Sequence, residues 1–377
     1  MTLHTTIHQQ LAPVLGLVQE WQQLHDESGD TIPFSGPDWA VTWLEHFTDE
    51  RVQPFLVEVR EGDRLVGVAP FFRQAALGGR AAIVQPIGTG APWIGPYELP
   101  SLLAAPTQGR DVARAVVGRL CEESGAWDWT NIILGSAAPW FEPEWLPDWS
   151  FSLVKRRVLA AALIDLAPGT DIYAGRRNLK ESFRRARNRL TRDFGADGWS
   201  VRRVTEPCDV PAALDRLVDL HAERSEVADG RPVHVNVFSD PQVRSYLGAV
   251  LERMSQRRAV SFYELVIGSD VVASQLVLHT RTAGYSSVSG VAERAWAYSA
   301  VTYLQSLAVK DAQEAQHRQF CLSTGPNRAK LRWTDQVQVV TEFGIVGPRR
   351  RSRLLYLGAE IRGVITSYQE ARAAHRT

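Results

Sequence analysis

At 377 residues the chain exceeds what a single hydrophobic core usually organises, so two domains of similar size are expected. Apolar residues make up 45% and charged residues 22%, a balance that excludes a mostly disordered chain. Basic and acidic residues number 42 each, which excludes a global field drawing the protein to nucleic acid or to an anionic membrane. Any such attraction must be local.

Lys155, Lys180, Lys310 and Lys330 are the only lysines, so each is easy to inspect. Cys121, Cys208 and Cys321 are widely spaced and form no CxxC pair, which argues against a disulfide framework and a structural zinc site. A reducing cytoplasm fits that usage. The start has no basic segment leading into an apolar one, and no later stretch stays apolar for ~18 residues. Neither export nor a membrane span is therefore expected.

In chain order, Leu11 to Leu24 has helical periodicity, and Pro33-Phe34-Ser35-Gly36-Pro37 leads into an aromatic-rich helix, Asp38 to Phe47, with Trp39, Trp43 and Phe47 on one face. The runs Pro54 to Arg60 and Arg64 to Phe72 predict a hairpin turning at Glu61-Gly62-Asp63. A Gly/Pro-rich passage, Gly88 to Pro96, precedes a helix from Asp111 to Ser124 and a strand from Trp129 to Gly135. The second half repeats this order. Helices are expected at Ala212 to Arg224 and Pro241 to Arg257, and a hairpin at Ala259 to Ile267 and Asp270 to His279. A strand at Tyr285 to Val291, a helix at Ser299 to Gln316 and a strand at Gln319 to Ser323 follow. Residues 58–67 and 264–273 align without a gap, which favours an internal duplication. The boundary falls near Asp165 to Asp171, giving an N-terminal lobe of residues 1–165, mainly structural, and a C-terminal lobe of residues 166–377 carrying the reaction site.

Three constellations carry the chemistry. In the first, a small-residue strand runs from Tyr285 through Ser287 and Ser289 into a loop with Tyr298, and then into a helix opened by Ser299. Unpaired amides and the dipole of such a helix start favour an anion. GxGxxG and GxxxxGK are both absent, which excludes Rossmann and P-loop nucleotide sites. In the second, Phe320 to Trp333, a strand ends at Thr324-Gly325 and Lys330 follows, with Arg332 beyond it, placed to neutralise a phosphate or carboxylate. The third, Arg176 to Arg192, predicts a helix with an apolar stripe of Leu179, Phe183, Ala186 and Leu190. Its other faces are basic, with Arg176, Arg177, Lys180, Arg184, Arg185 and Arg187 available either as a solvated face or as a docking surface for a polyanion.

The early Pro33-Phe34 to Trp43 segment, Leu65-Val-Gly-Val-Ala-Pro70, Arg176-Arg-Asn-Leu-Lys180 and the Gly325-x4-Lys330 ending together resemble the CelD/BcsL-type acyltransferases, relatives of the Fem peptidyltransferases. The family usually has Tyr before that lysine where this chain has Ala329, and the GNAT pyrophosphate loop is degenerate at Glu293 to Ala300. The resemblance implies an α/β fold of two tandem GNAT-like lobes, each a mixed and mostly antiparallel sheet flanked by helices. It also implies acyl transfer to an amine. Acyl-CoA is the expected carrier, with aminoacyl-tRNA as the alternative and a catalytically inactive scaffold as a third reading. The partners are then a small-molecule or peptide amine acceptor and, on the second reading, tRNA. No tightly bound cofactor and no metal are expected.

For acid–base work the candidates are His221, Glu223, His234 and Tyr285, with Glu223 and His234 as preferred bases for the attacking ammonium and Tyr285 or Tyr298 as acids. Gly-x-Ser-x-Gly is absent, which excludes a nucleophile elbow, and Cys321, among apolar neighbours, is expected to be a buried structural thiol.

Overall fold

The computed structural model describes residues 2–29, 32–88, 101–135, 137–138, 140–173, 175–226 and 236–374. The N-terminal half comprises β1 (Leu3–His8), α1 (Leu11–Gly16), α2 (Val18–Ser28), α3 (Pro37–Phe47), β2 (Val52–Pro54), β3 (Leu56–Glu61), β4 (Arg64–Ala69), β5 (Phe71–Ala76), β6 (Ala81–Pro86), β7 (Leu103–Ala104), α4 (Gly109–Glu122), β8 (Trp129–Ile133) and β9 (Ser152–Asp165). The C-terminal half comprises α5 (Arg177–Phe194), β10 (Trp199–Val204), α6 (Val210–Glu226), α7 (Pro241–Gln256), β11 (Val260–Ile267), β12 (Asp270–His279), β13 (Ala283–Val291), α8 (Ala300–Glu314), β14 (Gln319–Thr324), α9 (Arg328–Leu331), β15 (Val337–Val346) and α10 (Arg350–Ala374). The fold is mixed α/β, with helices flanking mostly antiparallel sheets.

The two aligned hairpins occupy matching places. β1-β3-β4 and β10-β11-β12 are antiparallel in the same order. Gly62 and Gly268 turn them in the left-handed region, at φ 58° and 61°, where a side chain would be strained. Glu58 and Glu264, equivalent in the alignment, are both buried and both bonded from the neighbouring strand, Glu58 by His8 and Glu264 by Arg202.

The lobes do not keep separate sheets. Four strands, β1-β3-β4-β7, form one sheet, and eleven, β10-β11-β12-β13-β14-β9-β15-β8-β6-β5-β2, form the other. β9 leaves the first half to pair with β14, and β15 leaves the second half to pair with β8. These two strands also pair with each other in antiparallel fashion. The exchange makes the sheet continuous across the boundary near residue 165. The Leu11 to Leu24 helix is broken at Leu17, and the expected strands are extended or joined by β1, β5, β6, β9, β10 and β15.

In the second half, α6 and α7 cover one face of the sheet and α5 and α8 the other. Along β14, Phe320 and Leu322 pack toward α8 while Cys321 packs toward α6 and α7. Burial pushes the Cys121 thiol up to about 12. The N-terminal half docks through α3 against α7: Trp39 and Tyr246 meet edge to face at 5.3 Å, and Arg253 bonds Thr42 and Glu45. Among the described residues no helix is long and apolar enough to cross a membrane.

Candidate functional site

β13 and β14 run parallel, yet they pair only at Ala283–Tyr285 with Gln319–Cys321. Beyond Tyr285 and Cys321 both strands continue without pairing to each other, so a gap opens between their C-terminal ends. Past that point the backbone of β13 no longer has β14 as its partner. A bulge in this half reinforces the divergence: Gln275 opposes Ser289 and Val277 opposes Ser286, so Ser287 and Val288 together face the single residue Leu276. The Gln275 amide clamps the bulge, donating to the carbonyls of Leu276 at 2.9 Å and Val288 at 3.1 Å. The Ser287 hydroxyl is buried there with no hydrogen-bond partner among the described residues.

α6 lies across the open half of β13. A Cβ built on Gly290 would stand 2.6 Å from Leu220 Cβ and 2.7 Å from the His221 nitrogen, so only glycine admits this approach. His221 is 3% exposed. Its Nε2 faces the Val237 N–H at 3.4 Å, so Nδ1 carries the proton and donates to the Ser289 carbonyl at 2.9 Å. Arg224 donates to Ser289 Oγ at 3.3 Å. Glu223 is exposed at the mouth of the gap and accepts from the Glu293 N–H at 3.0 Å, at the start of the 3-10 turn Glu293–Tyr298 that links β13 to α8. A carboxylate thus already occupies one backbone donor of the loop expected to hold an anion.

The sequence candidates fall into three groups. Ser287, Ser289 and Glu223 come together at the open end of β13. Lys330 lies across the gap, on the segment after β14, but folds back on its own loop: Nζ donates to Ser323 Oγ at 2.9 Å and also to the Thr324 carbonyl. Ser323 and Gly325 both take the left-handed backbone there, at φ 61° and 72°. Arg332 donates to Ser182 Oγ on α5 at 2.8 Å. Tyr285, by contrast, is 2% exposed and meets Phe34 edge to face at 4.8 Å, a core position rather than one lining the gap. Ser299 precedes α8 as expected, but in the left-handed conformation and without a side-chain cap bond. Tyr298 donates to Asp193 at 3.1 Å; burial and that carboxylate raise its pKa, so it keeps its proton. His234 lies outside the described residues.

α5 forms as its periodicity predicts, with Leu179, Ala186 and Leu190 buried and Phe183 stacked on Trp333 at 5.2 Å. It packs beside the Glu293–Tyr298 turn, where Arg189 donates to the Ala297 carbonyl at 3.0 Å. Arg176 is paired with Asp335, and Arg184 and Arg185 share Glu181. Arg177, Lys180 and Arg187 are exposed on the outer face. Sequence reasoning missed Gln275, Arg224 and Gly290. Only Gly290 carried a signal, as an isolated glycine within a strand pattern.

Residues 177–331, from α5 to the end of α9, match the family described as the acetyltransferase (GNAT) domain. The match falls within the second half of the chain. The matched stretch contains every element that lines the gap. The fold of the whole chain is also shared with solved structures. FemX aligns with a TM-score of 0.61 at 9% identity, over 95% of this chain and 99% of that one. A conserved protein of unknown function from Bacteroides thetaiotaomicron aligns at 0.53 and 13%, over 90% and 99%. The C-terminal domain of an Agrobacterium fabrum protein described as a lysylphosphatidylglycerol synthetase aligns at 0.51 and 13%, over 92% and 96%. At such identities the likeness concerns the fold. Among curated proteins no sequence match was found.

Proposed function

We propose that this protein is a CelD/BcsL-type N-acyltransferase that moves an acyl group from coenzyme A to an amine by direct attack, without a covalent enzyme intermediate. The observation that carries the reading is the parting of β13 from β14 after Tyr285 and Cys321 within a GNAT-type domain. The donor carbonyl lies along the open edge of β13, where backbone N–H groups stabilise the developing oxyanion. Holding both reactants in the gap supplies proximity. Glu223, at the mouth, takes the proton from the acceptor ammonium, directly or through water. Lys330 braces the loop that closes the far side of the gap and, with Arg332, offsets donor charge.

A second reading, an aminoacyl-tRNA donor, is favoured by one specific feature: Arg177, Lys180 and Arg187 form an uncompensated basic stripe beside the gap. That is more positive charge than one pantetheine phosphate needs.

The deciding assay offers a panel of acyl-CoAs and charged tRNAs with amine acceptors, with and without RNase. Turnover from an acyl-CoA that survives RNase is expected. Product that forms only from charged tRNA and disappears with RNase would replace the first reading by the second, and joint reversal of Arg177, Lys180 and Arg187 to Glu should then flatten the salt dependence. Turnover from neither donor class would sink both. In the active enzyme, Glu223→Gln is expected to lower kcat by ~10²–10⁴ with the melting temperature unchanged. A kcat within about twofold of the parent would remove Glu223 from the base role.

A further inference from the structure

A cavity of about 450 Å³ lies between the lobes, walled by α2 and α3 on one side and by the ends of α7, β12 and α8 on the other. It sits by Thr280 and Arg281, just before β13 begins, whereas the gap opens beyond Tyr285 and extends toward the other end of β13. About three strand steps, roughly 10 Å, separate the start of β13 from the point where the gap opens, and the gap then runs away from the cavity. The cavity is therefore distinct from the acyl-transfer gap.

Its acids are already satisfied from within. Asp38 is held by Arg257; Asp311 accepts from Arg203 at 3.3 Å and from the Tyr263 hydroxyl at 2.8 Å; Asp26 accepts from Gln22 at 2.9 Å. Its bases are not all used. Arg281 spends only its Nε, on the Asp26 carbonyl at 3.0 Å, and the Arg258 guanidinium makes no hydrogen bond or ion pair with the described residues.

Arg258 also stands where another residue would be cheaper. α7 ends with Arg258 N bonded to Ser255 O and Ala259 N to Met254 O, and Arg258 itself at φ 55°. That left-handed position is usually glycine, so the side chain has a use that offsets the backbone cost. The same bonds close the last carbonyls of the helix, as His317 N to Ala312 O does for α8, which leaves few free acceptors to repel an anion. Of the three imidazoles that line the cavity, His25, His279 and His317, the last two have surroundings that point the same way. Burial, then the charges of His317 and Arg203, push His279 down to about 3, and burial with Arg203 lowers His317. No carboxylate raises either.

We propose that this cavity binds a compact anion with at least two negative charges, a phosphate monoester or a dicarboxylate, held by Arg258 and Arg281 on its C-terminal wall. A ligand bound there stabilises the folded protein by linkage. This proposal does not depend on the acyl-transfer reading.

Calorimetric titration of the intact protein with inorganic phosphate, pyrophosphate, succinate and citrate, at ionic strength matched with sodium chloride, tests it. Saturable binding by at least one of these anions is expected, with a melting temperature that rises with its concentration. The phosphate and carboxylate arms separate the two chemistries. Arg258→Gly relieves the left-handed residue, so it should raise the melting temperature of the unliganded protein while weakening anion binding about tenfold or more. Arg281→Gln should weaken binding without the first effect. Absence of saturable binding by all four anions, or unchanged affinity in both variants, overturns the proposal.

Discussion

Gly290→Val is expected to lower kcat/KM by about 10²-fold, because displacing catalytic groups by ~1 Å costs that much. The branched side chain would enter space already held by the Leu220 and His221 backbone, forcing α6 away from β13. Three contacts would shift together: His221 with the Ser289 carbonyl, Arg224 with Ser289 Oγ, and Glu223 with the Glu293 N–H. Overpacking should also reduce stability by about 1–3 kcal/mol. Gly290→Ala, which adds one carbon, should show the same pattern more weakly. Steady-state kinetics beside urea unfolding separates the effects. Full activity in a folded Gly290→Val protein would mean that α6 takes no part in the site.

Glu342→Ala should produce the largest loss of stability from a single residue in the exchanged strands. Glu342 lies on β15 with its side chain 3% exposed, and two β9 residues grip it: Arg156 at 3.3 Å and Arg157 in a closer pair. Removing the carboxylate takes the buried partner from both guanidinium groups, although Arg156 keeps Glu360 at 3.0 Å; breaking a buried pair typically costs ~3–5 kcal/mol. The lower end, about 3 kcal/mol, is expected because Arg157 is 43% exposed and can rehydrate. Glu342→Gln, which keeps the shape and an acceptor oxygen, should cost less. The check is the urea midpoint at unchanged slope. A loss below about 1 kcal/mol would show that hydrogen bonding between β9 and β15 holds the lobes together without this cluster.

Local features were legible in the residue order. Amphipathic α5 followed from Leu179, Phe183, Ala186 and Leu190 at helical spacing, and the hairpins from Gly62 and Gly268 between apolar runs. The open end of β13 was legible as a place, since small residues there run into a helix start. The roles within it were harder to read. Tyr285 and Ser289 have the same parity on β13, yet Tyr285 is sealed by Phe34 of the other half while Ser289 meets α6. Nothing near Tyr285 in the chain announces a partner some 250 residues away.

Residue order alone therefore settled most of the helices and the two hairpins, because backbone preference and side-chain period act over a few neighbouring positions. Folding in three dimensions decided that β9 and β15 trade places, that α6 rests on Gly290, that Lys330 turns back to its own loop, and that a basic cavity forms between the lobes. Those outcomes depend on which distant surfaces bury each other, and no local pattern encodes the choice of partner.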